Sequence, residues 1–155
     1  MKKKAKRIAY QMRNFSLETI GRMVVDECEG TRYDLYTDGS CKGGIGGCAW
    51  LVIHKEAIVK SGKERITSHD NSSVYAELRA IVRGLGDCPL SCSVDVYTDC
   101  QAVIGKIRDG RLGDLASIYN KVCEGKVVRY HWVKGHRGDV YNEMVDSLAF
   151  SVIGC

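Results

Sequence analysis

No apolar run in this chain approaches the length of a bilayer span. The basic start MKKKAKR is followed by IAYQM, which is too short and too soon polar to serve as the h-region of a secretory signal. A membrane anchor and an exported, disulfide-framed fold are therefore not expected, and the compartment is expected to be reducing, the cytoplasm. Cysteine is plentiful, at positions 28, 41, 48, 88, 92, 100, 123 and 155, yet no CxxC pair occurs. The nearest spacing, Cys88 with Cys92, has no second pair at zinc-finger distance, so these residues read as small buried side chains. A strong excess of one charge is also missing. The formal net charge is +4, and residues 1–30 hold seven Lys or Arg against four acids, which leaves sixteen against fifteen elsewhere. A domain this close to neutral would meet a polyanion through local patches and bound metal, not through a global field.

What is present fits one domain of 155 residues, 45% hydrophobic and 27% charged, with a basic extension over residues 1–30 and a folded unit over 31–155. Within the extension MKKKAKR reads as a solvated tail, while Phe15 to Cys28 carries Leu17, Ile20, Val24 and Val25 at helical intervals and is expected to pack on the domain or on a partner. The remainder alternates as α/β. Strands are expected near Tyr33–Thr37, Cys48–His54, Ala57–Ile66, Ser93–Thr98 and Val127–Lys134, and helices near Val74–Leu85, Gln101–Arg108, Leu112–Glu124 and Val140–Ile153. Short connections join the first three strands, which predicts an antiparallel meander before the chain switches to helices and parallel pairing.

Four acids stand out: Asp38 in YTDGSC, Glu77 in VYAELRAIVRGL, Asp99 in VYTDCQAVIGKI and Asp146 in the segment after WVKGHRG. Each adjoins an apolar run that would draw it toward a core, where an ionised carboxylate is costly unless it is paired or binds a cation. Thr-Asp at the end of two strand-like runs places Asp38 and Asp99 at strand carboxyl ends, and parallel pairing of the two would make them converge. Glu77 lies one turn into an amphipathic helix with Leu78, Ile81, Val82 and Leu85 on its apolar side, and Asp146 lies in a second with Val145, Leu148 and Val152. Any one of these acids alone reads more naturally as a turn former, a cap or a surface charge. Their joint order points to a metal site.

The ordered blocks YTDGSC, Ala-Glu-Leu, TD-x-Q-x-V and HWVKGHRG followed by NE-x-x-D resemble the type 1 ribonuclease H family, a member of the ribonuclease H-like superfamily. The likeness runs from about Tyr33 to Phe150. It implies a mixed five-stranded sheet, three antiparallel strands then parallel ones, flanked by helices, and a catalytic domain over 31–155. It further implies an endonuclease that hydrolyses the RNA strand of RNA/DNA hybrids and leaves 5′-phosphate and 3′-hydroxyl ends. Two Mg2+ ions, for which Mn2+ substitutes, would be held by Asp38, Glu77, Asp99 and Asp146, with Asp38 bridging. His136, between glycines, would take an auxiliary proton-shuttling or product-release role. Gly39, Ser40, Cys41, Gln101 and Asn142 match positions that contact substrate, and a phosphate pocket for the DNA strand, resembling the family's, would use Ser72 or Thr67. Metal-free, so close a set of acids would repel and hold at least one proton above the usual range.

The pattern departs in two places. Ser73 and Val74 stand where relatives carry an Asn pair; serine keeps one polar contact and valine cannot. The interval from Asp99 to His136 is too short for the extra helix and basic loop that many bacterial relatives use as a substrate handle, so the form expected here lacks it. A non-catalytic hybrid-binding module of the same fold is the alternative; loss of a carboxylate would be its mark, and all four are present. A monomer is favoured, without a membrane partner.

Overall fold

In a computed structural model, residues 31–67, 72–134 and 139–153 are described. Strands β1 (Arg32–Lys42), β2 (Ile45–His54) and β3 (Ala57–Ile66) form the meander. Helix α1 (Ser73–Gly86) crosses to β4 (Cys92–Thr98). Then come α2 (Gln101–Arg108), a 3-10 turn (Gly113–Leu115), α3 (Ala116–Cys123), β5 (Lys126–Trp132) and α4 (Val140–Ser151). The sheet order is β3-β2-β1-β4-β5, with β1, β2 and β3 antiparallel and with β4 parallel to both β1 and β5. The expected mixed sheet is therefore present.

Alternation along each strand divides the core between the two faces of the sheet. Leu35, Trp50, Val52, Val94 and Val96 pack under α1 with Leu78, Ile81 and Leu85. Ala49, Leu51 and Ile53 face Val145 and Ala149 of α4. Both helices approach closely because glycine lies beneath them. A Cβ on Gly39 would stand 2.3 Å from the Glu77 nitrogen, and one on Gly47 would stand 2.4 Å from the Ala149 carbonyl oxygen. These two contacts fix the height at which α1 and α4 present their acids. Ser72 caps α1 by accepting from the Tyr75 N–H, and Asp139 caps α4 by accepting from the Asn142 N–H.

Several boundaries differ from expectation. β1 continues to Lys42 because the Gly43–Gly44 turn, with φ of 61° and 81°, extends its antiparallel ladder with β2. Asp38 therefore lies inside a strand, not at its end; what stops nearby is the parallel pairing with β4, last made at Tyr36 with Tyr97. The helix expected over Leu112–Glu124 is split, since Gly113 sits at φ 59° and only a 3-10 turn precedes α3. The last helix ends at Ser151 and β5 at Trp132, each two residues earlier than the apolar pattern suggested.

Candidate metal centre

The register that ends with Tyr36 opposite Tyr97 puts the next residues, Thr37-Asp38 and Thr98-Asp99, side by side where the two strands part. This is a crevice at the carboxyl end of parallel strands, beside the point where the connections turn opposite ways, and ligands of α/β sheets favour such places. Alternation sends Thr37 toward α1 and Asp38 toward the α4 face. Glu77 descends from α1 on one side and Asp146 reaches in from α4 on the other. One carboxylate oxygen from each of Asp38, Glu77 and Asp99 lies within 4.8 Å of the other two. Asp146 comes within hydrogen-bonding reach of Asp38. All four predicted acids are thus brought together, graded from the interior outward: Glu77 is 1% exposed and Asp38 6%, while Asp99 and Asp146 are half-buried.

Electrostatics at this point favour a cation. Burial, the Glu77 charge, a hydrogen bond with Asp146 and the Asp99 charge together push the Asp38 carboxyl far above the ordinary carboxylate range. Burial raises Glu77 as well, but hydrogen bonds from Thr37, Thr98 and the Gly39 backbone work against that rise, while Asp99 adds to it. The charges that act most strongly on Asp38 are all carboxylates. An all-oxygen set of this kind suits a hard divalent ion, so the residues present fit the metal that the sequence implies.

Glu77 is the most constrained member. The Thr37 hydroxyl donates to its Oε1 at 2.7 Å and the Thr98 hydroxyl donates to the same atom at 2.9 Å. Both threonines are fully buried. Reading the sequence for acids passed over them, although the repeated dipeptide Thr-Asp was the available signal. Trp132 was also missed: about half exposed, it donates its indole N–H to the Asp99 carbonyl at 3.2 Å, while the Val133 N–H donates to the Thr98 carbonyl at 2.9 Å. The end of β5 thereby holds the turn that carries Asp99.

The predicted substrate contacts are spread around this centre. Gly39, Ser40 and Cys41 follow Asp38 along β1, and the buried Ser40 hydroxyl has no hydrogen-bond partner among the described residues. Gln101 opens α2 and is exposed, as are Ser72 and Ser73 at the start of α1. Asn142 is 3% exposed in the first turn of α4, which makes it the least accessible of the set. His136 lies outside the described residues, as does the expected extension over residues 1–30. Among the described residues, cysteines 41, 48, 88 and 100 are free thiols, and no helix is long and apolar enough to cross a membrane.

Comparison with known proteins gives a consistent answer. A family model described as RNase H matches residues 30–153. A Ribonuclease H of Legionella pneumophila (strain Corby) is 30% identical over 146 residues, covering 76% of this chain and 94% of that protein. A Ribonuclease H of Marinobacter nauticus is 32% identical over 136 residues, covering 74% of this chain and 89% of its own. Among solved structures, the N-terminal RNase H domain of a Mycobacterium tuberculosis protein, determined as a fusion with maltose-binding protein, superposes with a TM-score of 0.64. It shares 22% identity and covers 79% of this chain and 94% of that one, a likeness of fold.

Proposed function

Since this chain belongs to the RNase H family, we propose that it is an endonuclease hydrolysing the RNA strand of RNA/DNA hybrids, with 5′-phosphate and 3′-hydroxyl products. The observation that carries this reading is the convergence of Asp38, Glu77 and Asp99 within 4.8 Å, with Asp146 against Asp38. Two divalent ions would be held by these four acids, Asp38 contributing to both, Glu77 and Asp99 to one and Asp146 to the other. Mg2+, for which Mn2+ substitutes, supplies water activation and stabilisation of the leaving oxygen when bound. The protein's part is to fix the donors before substrate arrives, which the buried, hydrogen-bonded Glu77 and the clamped Asp99 turn already do.

Gly39, Ser40, Cys41 and Gln101 would test the 2′-hydroxyl that separates RNA from DNA. His136 moves a proton or eases product departure, so its replacement by Ala slows turnover by about 100-fold without abolishing it. A reducing, cytoplasmic setting and a single-chain enzyme complete this reading. Only a short loop and a 3-10 turn separate α2 from α3, so no basic handle stands there. Residues 1–30, with their net positive charge, take over part of its task.

The deciding assay incubates labelled RNA/DNA hybrid, duplex RNA and duplex DNA with Mg2+, Mn2+ or chelator, using wild type beside Asp99→Asn. The RNA strand of the hybrid alone should be cut, only with metal and only by wild type. Undiminished cleavage in excess chelator would overturn the proposal, and specific hybrid binding without cleavage would favour the non-catalytic alternative. Deleting residues 2–13 should weaken hybrid binding at low salt; unchanged affinity there would remove the extension from the account.

A further inference from the structure

We infer that Thr37 and Thr98 are positioning residues, which aim the Glu77 carboxylate at the metal centre by jointly occupying its Oε1 and leaving Oε2 to the ion. The inference rests on the divalent-ion reading above and adds two residues outside the carboxylate set. Both hydroxyls are fully buried, and both donate to one oxygen, at 2.7 and 2.9 Å. The Thr98 hydroxyl also accepts from the Cys100 N–H at 3.1 Å, which commits its own proton to Glu77 and forms a directed chain from the turn backbone to the carboxylate.

The arrangement follows from strand register. Thr37 and Thr98 are neighbours on β1 and β4, pointing to the α1 face, while the residue after each is an acid of the centre. One Thr-Asp step therefore delivers a ligand, and its twin geometry delivers an anchor for a third ligand from above. A glutamate has three rotatable bonds, and with one oxygen pinned twice the other has little freedom left. Gly39 completes the seat, since its lack of a Cβ lets β1 touch the α1 backbone at Ala76 and Glu77.

The experiment separates hydroxyl from bulk. Thr37→Val and Thr98→Val keep shape and lose the donor; Thr37→Ser and Thr98→Ser keep the donor and lose a methyl group. Calorimetric titration with Mn2+ alone, without substrate, should show each Val variant binding about tenfold more weakly, with both Ser variants within about twofold of wild type. A packing role predicts the reverse ranking, and Val variants with wild-type Mn2+ affinity would overturn the inference. Glu77→Gln serves as the reference. If it binds Mn2+ as wild type does, Glu77 is no ligand and the inference falls while the wider functional reading survives on cleavage. If wild type itself takes up no Mn2+, both fall. Thermal melts of each metal-free variant confirm that the titrated protein is folded.

Discussion

Asp95 shows what a buried carboxylate looks like when its role is structural. It is 3% exposed on β4, and Arg32, Arg129 and His131 lie 2.7, 3.0 and 2.8 Å from its oxygens. Burial would raise its carboxyl, but the hydrogen bonds from His131 and Arg129 and the charges of Arg129 and Arg32 outweigh that and hold it well below the ordinary range. Its folded-state pKa is thus below the unfolded value of about 3.9, so its stabilisation is complete above that pH and drains away as pH falls through the folded value. Asp95→Asn should cost about 2–3 kcal/mol near neutrality, less than a fully buried pair because Arg32 and His131 remain partly in water. Urea denaturation of both proteins checks it: the gap in midpoint should be widest near neutral pH and close toward acid. Asp38 differs in having only acids for charged neighbours of consequence. That contrast was not legible in VDVYTDC, since the partners of Asp95 come from 63, 34 and 36 residues away. The four centre acids were legible because each sits in a distinctive local motif.

At the level of elements, two tight hairpins illustrate how backbone geometry outruns sequence. The first turn uses Gly43 and Gly44, which adopt positive φ at little cost. The second, between β2 and β3, forces Lys55 and Glu56 to φ of 52° and 67°, where a Cβ is penalised by about 1 kcal/mol per residue. The double substitution Lys55→Asn with Glu56→Gly should therefore stabilise the fold by about 1 kcal/mol, read as a higher melting temperature. The Glu56 carbonyl that accepts from the Tyr141 hydroxyl belongs to the backbone and survives the change. Gly39→Ala should do the opposite: its Cβ would meet the α1 backbone at 2.3 Å, so the helix must lift and carry Glu77 away. Loss of Mn2+ binding in a still-folded variant would be the signature, and retained binding would refute it. Sequence patterning located every strand and helix of the described residues because period-two and helical runs are local. It misjudged the Leu112–Glu124 helix, since apolar spacing continues through Gly113 while the backbone there turns left-handed. It also ended β1 too soon, because Asp38, Gly39 and Ser40 look like a turn until β2 is paired against them.

For the whole molecule, the acid centre opposes the stability that the rest of the fold supplies, and the sign of its pH dependence is opposite to that of Asp95. A metal-free folded chain keeps a proton on Asp38 that the unfolded chain releases in the ordinary carboxylate range. Where the folded state binds more protons, stability falls as pH rises. A divalent ion reverses this by replacing the proton, so the rise in melting temperature on adding Mg2+ should grow between about pH 5 and pH 8. Asp38→Asn removes the buried charge at its source. The metal-free variant should be more stable than wild type by about 1–2 kcal/mol at the alkaline end, should lose most of that advantage at the acid end, and should gain little from Mg2+. Calorimetric melts of the two proteins across that range, with Mg2+ or chelator, decide the matter. Equal Mg2+ gains at both ends, or an Asn variant no more stable than wild type, would mean that the four carboxylates stand too far apart in solution to repel one another or to share a cation.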